Sequence, residues 1–483
     1  MSHLTPDVVD GAEALPANAG DMALLLADLK VHRPTYKRYR DYYDGHQPIK
    51  FAAAKLQTAF GDELQELVCN RVAPAIDAIA DRLYIQGFTG ADGAANEKAD
   101  DIWARNNMDR GHGESHVEAL TEGDGYVLVW PDAEGAARIY VQKAEWIAVD
   151  FDVEQPGELR VAAKAWRLAD KRWRLNLYYR DRLEKYITHN PLDGDAVPDD
   201  PELFDPHSDE GEAWPVPYDA KWTGTVPIFH FANNGRTGEY GKSEVAALIP
   251  MQNRLNMTLA NLAIAEEYQS YRQRWAVGLE PIIDPETGKE ISPFSAGAGD
   301  LWAVASENTK FGEFSAADLA MFGETAEGHE KRIARTAGIP MHHLMQTGAP
   351  ESGEALKTAE EPFVAKVRDR QRAFGPVWEA VMGHALKIEG EADPVANINW
   401  ARAESRDERE FWELAAIKRE MGVSPQQILR EYGYTDAEIE DMRAELGEHT
   451  ETMANLAARA FNQGAAINED PAEQNEPESP DAS

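Results

Sequence analysis

At 483 residues, 43% hydrophobic and 28% charged, the chain has length for about two to four globular domains and a sizeable buried core. Its formal charge of −37 excludes the broad basic face by which most proteins grip nucleic acid, since phosphate neutralisation supplies most of that affinity. The one cysteine, Cys69, excludes an internal disulfide framework and suits a reducing compartment, and no run of about 18 apolar residues offers a membrane span.

Residues 1–20 read as a flexible N-terminus without the basic-then-apolar pattern of an export signal, so synthesis in a cytosol is expected. From Asp21 to Tyr43, Leu25, Leu29, Tyr36, Tyr39 and Tyr43 recur at helical spacing, with Gly45 as the stop. A second helix is predicted over 66–88, striped by Val68, Val72, Ile76, Ile79 and Leu83, bent at Pro74 and ended before Gly87. A third is predicted over 97–121, carrying Ile102, Trp103 and Leu120.

The texture then changes. Short alternating runs at 125–130, 137–152, 159–168, 172–181 and 182–189, rich in aromatic and β-branched residues, predict an antiparallel meander. The stretch 190–220 is rich in Pro, Asp and Glu and has no Lys or Arg, which reads as a mobile acidic surface loop. One more strand is expected at 225–234. A long amphipathic helix follows from Ser243, with Val245, Leu248, Leu255, Leu259, Leu262 and Tyr268.

Residues 272–315 break into strand-like pieces, and helices are predicted at 316–337 and 353–388, the latter kinked at Pro362 and Pro376. Two or three short helices are expected over 404–446, with "SPQQIL" and "TDAEIE" as capped starts. The end of the chain, "NEDPAEQNEPESPDAS", has six acids and no base and reads as disordered.

Candidate chemistry concentrates in "GIPMHHLMQTGAPESGEALK" (338–357). Adjacent His342 and His343 rarely share one metal, and Glu351 and Glu354 lie beyond Gly348 and Pro350, so no metal site is expected. Ser352 lacks the G-x-S-x-G elbow and no strand feeds it; with Glu354 it reads as a helix cap. The acidic stretch lacks calcium-loop spacing, and "EGDGYVLV" (122–129) puts its glycines before a strand, so it reads as the start of that strand and not a dinucleotide turn. Trp130, Trp146, Trp166 and Trp173 read as core or interface. No catalytic residue and no cofactor are expected, and no G-x-x-x-x-G-K-[ST] supports ATP hydrolysis.

Four stretches, "YRDYYDGHQPI" (39–49), "CNRVAPAIDAIADRLYIQGF" (69–88), 241–278 and 336–382, resemble the portal proteins of long-tailed bacteriophages, especially those infecting actinobacteria. With their spacing they cover roughly residues 21–450. The resemblance implies an α+β ring subunit with long stem and wing helices, a β-rich wing and a small α/β clip insert. It implies a wing at 21–242, stem helices at 243–271 and 316–337, a clip at 272–315 and a tunnel loop at 338–352. It further implies a kinked wing helix and connection at 353–399, a crown at 400–450 and an acidic disordered tail at 451–483.

Such a subunit would sit at one capsid vertex of the virion in a ring of about twelve. It would pass double-stranded DNA regardless of sequence and dock the large terminase subunit and a head-tail adaptor. Major capsid and scaffolding proteins are further implied partners, and a membrane is not. An acidic channel suits sliding DNA, because strong phosphate contacts would brake it. Tunnel-loop residues would then be His342, His343, Gln346, Glu351 and Ser352. Lys331, Arg332, Arg335 and Lys357 would touch the DNA backbone or a neighbouring subunit, and Arg272 and Arg274 would serve docking at the clip. "KVRDRQR" (366–372) is expected to pair with acids such as Glu360 and Glu361. The rival readings are a minor capsid or scaffold protein without a channel, and a hydrolase using the 338–357 loop.

Overall fold

The structure, a computed structural model, describes residues 19–47, 68–270, 318–344, 353–404 and 408–432, together with 274–277, 282–283, 285–288, 290–291, 310–313, 434, 439 and 442–443. It divides into two units, one through Glu404 and one from Ser405 onwards.

The first unit is built outward from amphipathic helices and two sheets whose alternation assigns each face. Helix α1 (Ala19–Tyr43) runs through Pro34 and buries Met22, Leu25, Leu26 and Leu29. They pack on one face of a six-stranded antiparallel sheet, against Val161, Ala163, Ala165 and Trp173. The intervening Ala162 points to the opposite face, into a second cluster with Ile147, Val149 and Tyr178. Where the sequence predicts one helix over 66–88, the described part is a short helix α2 (Val72–Ala80) followed by strand β1 (Ile85–Thr89). Pro74 sits in the first turn of α2, where its missing N–H costs nothing, so it does not bend the helix.

The helix predicted over 97–121 is two, α3 (Glu97–Arg105) and α4 (Met108–Glu122), broken where Asn107 adopts a left-handed φ of 53°. Strands β2 (Asp124–Pro131) and β3 (Ala137–Gln142) follow, then a 3₁₀ turn at Ala144–Trp146 and β4 (Ile147–Phe151). Next come β5 (Leu159–Arg167), β6 (Trp173–Tyr178), β7 (Arg182–Thr188), β8 (Phe204–Pro206), β9 (Val216–Pro217) and β10 (Ile228–Ala232).

These strands do not form one meander. β10, β2 and β3 make a separate sheet, while β4 to β8 follow in chain order with β9 added on β7. The run at 137–152 therefore crosses from one sheet to the other at the 3₁₀ turn. β2 is buried on both faces: Val127 and Val129 enter the main core, and Tyr126 and Leu128 the cluster shared with the six-stranded sheet. The acidic stretch at 190–220 is not a detached loop. It supplies β8 and β9 and buries Val197 and Phe204 beneath α1.

Helix α5 (Glu244–Ser270), strands β11 (Arg274–Val277), β12 (Ile282–Ile283), β13 (Glu290–Ile291) and β14 (Lys310–Glu313), helix α6 (Ala320–Ala337), helix α7 (Gly353–Ile388) and strand β15 (Asn397–Trp400) complete the unit. β15 pairs with β1, so residues up to 404, which the sequence reading assigned in part to the next region, belong here. The main core joins α2, α3, α4, β2, β10, α5, α6 and α7, with Trp378 and Phe374 fully buried at its centre. In the second unit α8 (Glu408–Glu420) and α9 (Pro425–Tyr432) are linked by a Lys418–Glu431 pair, and Trp412 stacks on Tyr432.

One buried acid runs against its neighbours. Arg40 of α1 donates to both Glu118 (2.6 Å) and Glu122 (3.0 Å) on α4. Burial and the like charge of Glu118 outweigh Arg40 and push the Glu122 carboxyl up to about 9. The folded state thus holds a proton that the unfolded chain releases near pH 4.3, and stability falls as pH rises from there towards 9. Glu122→Gln keeps the hydrogen-bond acceptor for Arg40 without the proton. Urea melts at pH 6 and pH 9 should find it at least as stable as the parent, with a smaller loss at pH 9.

Candidate functional site at the paired helices and the turn after them

α5 begins where the chain folds tightest. Gly123 ends α4 at φ 101°, and a Cβ on Gly241 would lie 1.9 Å from the Gly123 carbonyl oxygen, so "EGDG" and "GKSE" must meet as glycines. Asp124, buried between them, accepts from Tyr36 Oη (2.8 Å), His230 Nε2 (2.7 Å) and the Gly241 amide (2.7 Å). Gly123 thus opens a strand, as the sequence order suggests, and together with Gly241 it also seats a helix, which that order does not reveal. Ser243 caps α5 by accepting from the amides of Val245 and Ala246.

Glu244 in the first turn accepts from Lys366 Nζ (2.7 Å) and Arg370 Nη2 (2.6 Å) of α7. Burial alone would raise this carboxyl, but Lys366 and Arg370 outweigh it and hold it below its ordinary range. The "KVRDRQR" bases expected to pair with Glu360 and Glu361 therefore serve a different acid, across the joint between α5 and α7. Arg368 pairs with Glu404.

A second joint uses amides. Gln252 and Asn256, both buried on α5, face residues 69–71. The Arg71 amide donates to Gln252 Oε1 (3.0 Å) and the Cys69 amide to Asn256 Oδ1 (3.2 Å), while Gln252 Nε2 donates to the Cys69 carbonyl (2.5 Å). Arg71 Nε reaches Glu330 on α6 (2.6 Å), and Tyr42 Oη reaches Asn253 (2.8 Å). Both helices of the pair are thereby keyed to the body by polar groups. Apolar periodicity does not reveal these residues; their only signal in the sequence is polar side chains at core-facing positions of an apolar helix.

α5 and α6 pack along each other and are joined at their far end by the antiparallel pair β11–β14, with Arg274 opposite Glu313. From residue 261 to 266 no residue of α5 is buried: Leu262 and Ile264 are half-buried, as is Leu259 just before them. Met257 is 42% exposed and Met321 of α6 62% exposed. α6 buries Ala326, His329, Ile333, Ala334 and Ala337 and leaves Lys331, Arg332 and Arg335 exposed on the outer side. Lys331 lies 3.7 Å from Glu327. Arg272 and the side chain of Arg274 lie outside the described residues, as do Gln346, Glu351, Ser352 and the side chain of Lys357.

α6 stops at Gly338 (φ 69°), and the chain turns back into the core through Ile339, Pro340 and Leu344, all buried. Between them a 3₁₀ turn, Met341–His343, carries the two histidines. The start of the segment expected to be the tunnel loop is therefore packed. His342 Nε2 lies 3.4 Å and His343 Nε2 3.9 Å from the same oxygen of Glu360 on α7, and Arg82 lies 3.9 Å from it. The expectation that no carboxylate stands near the histidines is corrected: Glu360 is distant in sequence but one helix away in space. Burial, then His342 and Arg82, hold the His343 imidazole below its ordinary pKa against the pull of Glu360.

Known proteins resemble this chain over most of its length. Residues 23–452 match the model of a family described as phage portal protein, SPP1 Gp6-like. The portal protein of Mycobacterium phage D29 is 25% identical over 393 residues, covering 76% of each chain. That of Mycobacterium phage L5 is 25% identical over 340 residues, covering 68% of this chain and 66% of its own length. Among solved structures, a chain from the virion of a native gene transfer agent particle aligns with a TM-score of 0.44 at 14% identity, over 77% of this chain and 90% of its own. With the family model spanning both keyed helices, the turn after them and the body that holds them, the chain belongs to the phage portal proteins of the SPP1 Gp6-like family.

Proposed function

We propose that the chain closes with copies of itself into a ring of about twelve at one capsid vertex of the virion. The ring is a passage for double-stranded DNA during packaging and ejection, and a platform for the large terminase subunit, the head-tail adaptor, and the major capsid and scaffolding proteins. α5 and α6 are its stem, 272–315 its clip, 338–352 its tunnel loop, the β-rich body its wing, and the unit from Ser405 as far as residue 450 its crown. In this reading the chain does no covalent chemistry.

The observation that carries the reading is the outer half of the stem. α5 would extend about 40 Å at 1.5 Å per residue, yet beyond Ala260 it keeps Leu262 and Ile264 half-exposed in the single subunit. Such side chains are covered when the same helix pair of a neighbour packs beside them, and a contact that joins two different faces closes into a ring. Lys331, Arg332 and Arg335, exposed on α6, are then placed for brief contacts with the DNA backbone or with acids of the next subunit. The net charge of −37 leaves most of the passage without cations to hold phosphate. Arg272 and Arg274 fall in the clip, where the motor and adaptor would dock.

Native mass spectrometry and negative-stain images of the purified chain should give a species of about twelve subunits with a central hole. Leu262→Glu should shift it towards monomer while leaving the melting temperature of the monomer within about 2 °C, the effect of a surface change. A stable dimer or tetramer without a hole overturns the reading.

A further inference from the structure

A place in the tunnel loop gives no reason for His342, His343 and Glu360 to meet at one corner. We propose that these three side chains form a binding site for a divalent transition-metal ion of the zinc type. Their donor atoms lie within 4.8 Å of one another. Donors held ~2.0–2.1 Å from a zinc ion at tetrahedral angles stand about 3.3–3.5 Å apart. The 3.4 Å separation of His342 Nε2 from the carboxylate already meets this, the 3.9 Å separation of His343 Nε2 needs a few tenths of an ångström, and the two histidine donors, within 4.8 Å of each other, must close the remainder by rotation of the part-exposed His342 side chain. Two imidazoles and one carboxylate suit zinc, cobalt or nickel better than magnesium or calcium, which prefer all-oxygen shells.

A second observation points the same way. His343 Nε2 is shut off from solvent and makes no hydrogen bond among the described residues, a state that a bound ion relieves. The ring is also held in place. It sits on a 3₁₀ turn closed by its own amide to the Pro340 carbonyl (3.2 Å), and it packs 5.3 Å from the buried ring of Phe363, three residues after Glu360 on α7. His342 and Glu360 are partly exposed, leaving the ion a way in and a coordination position for water. The opposing group is Arg82, whose guanidinium is 3.9 Å from the same carboxylate oxygen and lies over Phe363. Its positive charge repels a cation, which sets the site towards moderate affinity. A bound ion would tie the turn after α6 to α7 and so brace the segment 338–352, read here as the tunnel loop; metal binding itself does not depend on that reading.

The test is calorimetric titration of the full-length protein, stripped with EDTA, with Zn²⁺ alone at pH 7.5, followed by Co²⁺ absorption spectra to report the ligand field. One ion per chain is expected, with about tenfold or greater loss of affinity in Glu360→Gln and in His342→Gln. His342→Gln changes a half-exposed turn residue and keeps the assay readable if Glu360→Gln disturbs the fold. Equal zinc stoichiometry and affinity in the parent and in folded His342→Gln overturns the proposal, as does a parent that takes up no zinc at micromolar concentration.

Discussion

Gln252→Leu is expected to cost about 3–5 kcal/mol of stability, although leucine fills nearly the same volume on the same helix. Gln252 is wholly buried, and its amide satisfies two backbone groups of residues 69–71 at once: it accepts from the Arg71 N–H and donates to the Cys69 carbonyl. Leucine removes both partners but leaves the backbone groups where they are, away from water. Each stranded group costs about 1–3 kcal/mol, and the added hydrophobic contact of one leucine recovers only part of that. It also removes a donor to Asn256 Oδ1, whose remaining bond to the Cys69 amide is then the last side-chain bond from Gln252 and Asn256 to residues 69–71. Urea denaturation of the parent and of Gln252→Leu measures the difference, with Met257→Ala, an exposed position one turn on, as the control expected to change little. A loss below about 1 kcal/mol would mean that water or a shifted backbone replaces the amide, and that the joint is not rigid.

That joint matters for assembly as well as for stability. The angle at which α5 leaves the body is set by Gln252, Asn256 and Asn253, and α6 is held through Arg71 and Glu330. A ring closes only if every subunit presents the same angle, so a looser joint spreads the closure angle and lowers the yield of closed rings. In Gln252→Leu the ring fraction should therefore fall at temperatures where the subunit is still folded.

What the sequence made legible follows the range of the forces involved. Periodic apolar residues are local signals, so α1, α5, α6, α7 and strands β2, β5, β6 and β7 fall close to their predicted places. The break at Asn107 was missed because a single left-handed residue leaves the apolar pattern on both sides intact. The transfer of the chain between two sheets at Ala144–Trp146 was missed because alternation reports that a strand exists, not which neighbour it pairs with. The acidic stretch at 190–220 read as a solvated loop because composition outweighed Val197 and Phe204, the two residues that anchor it. At the histidine corner, both histidines were visible in the sequence and their carboxylate was not. Glu360 belongs to another helix, and Glu351 and Glu354, nearer in sequence, drew the attention. The pairing of Lys366 and Arg370 with Glu244, more than a hundred residues away, failed for the same reason.

Acid should unfold the first unit through its buried histidines, and His384 should carry a measurable share. His384 on α7 is 4% exposed, packs edge-on against Trp222 and Phe229, and leaves Nε2 without a hydrogen-bond partner among the described residues. Burial, with Lys387 nearby, lowers its pKa to about 4. The folded state therefore stays neutral over a range where the unfolded chain, titrating near pH 6.5, takes up a proton. With more protons bound when unfolded, stability is intact above pH 6.5 and declines as pH falls towards 4. At 1.36 kcal/mol per pH unit the decline amounts to about 3 kcal/mol by pH 4. His116, buried on Phe374 and accepting from Trp378 Nε1 at 2.9 Å, is held by burial well below its ordinary pKa and adds to the same trend. Relief of the charge of −37 acts in the opposite direction, so the absolute pH profile is a sum of both. A paired comparison cancels that term. His384→Phe puts a ring of similar size among aromatic neighbours and removes the titrating nitrogen. Its stability relative to the parent should rise by roughly 2 kcal/mol on going from pH 7 to pH 5. Parallel pH profiles for the two proteins would show that His384 is reached by water or protonates freely in the folded state, and acid sensitivity would then have to come from His116 and the carboxylates.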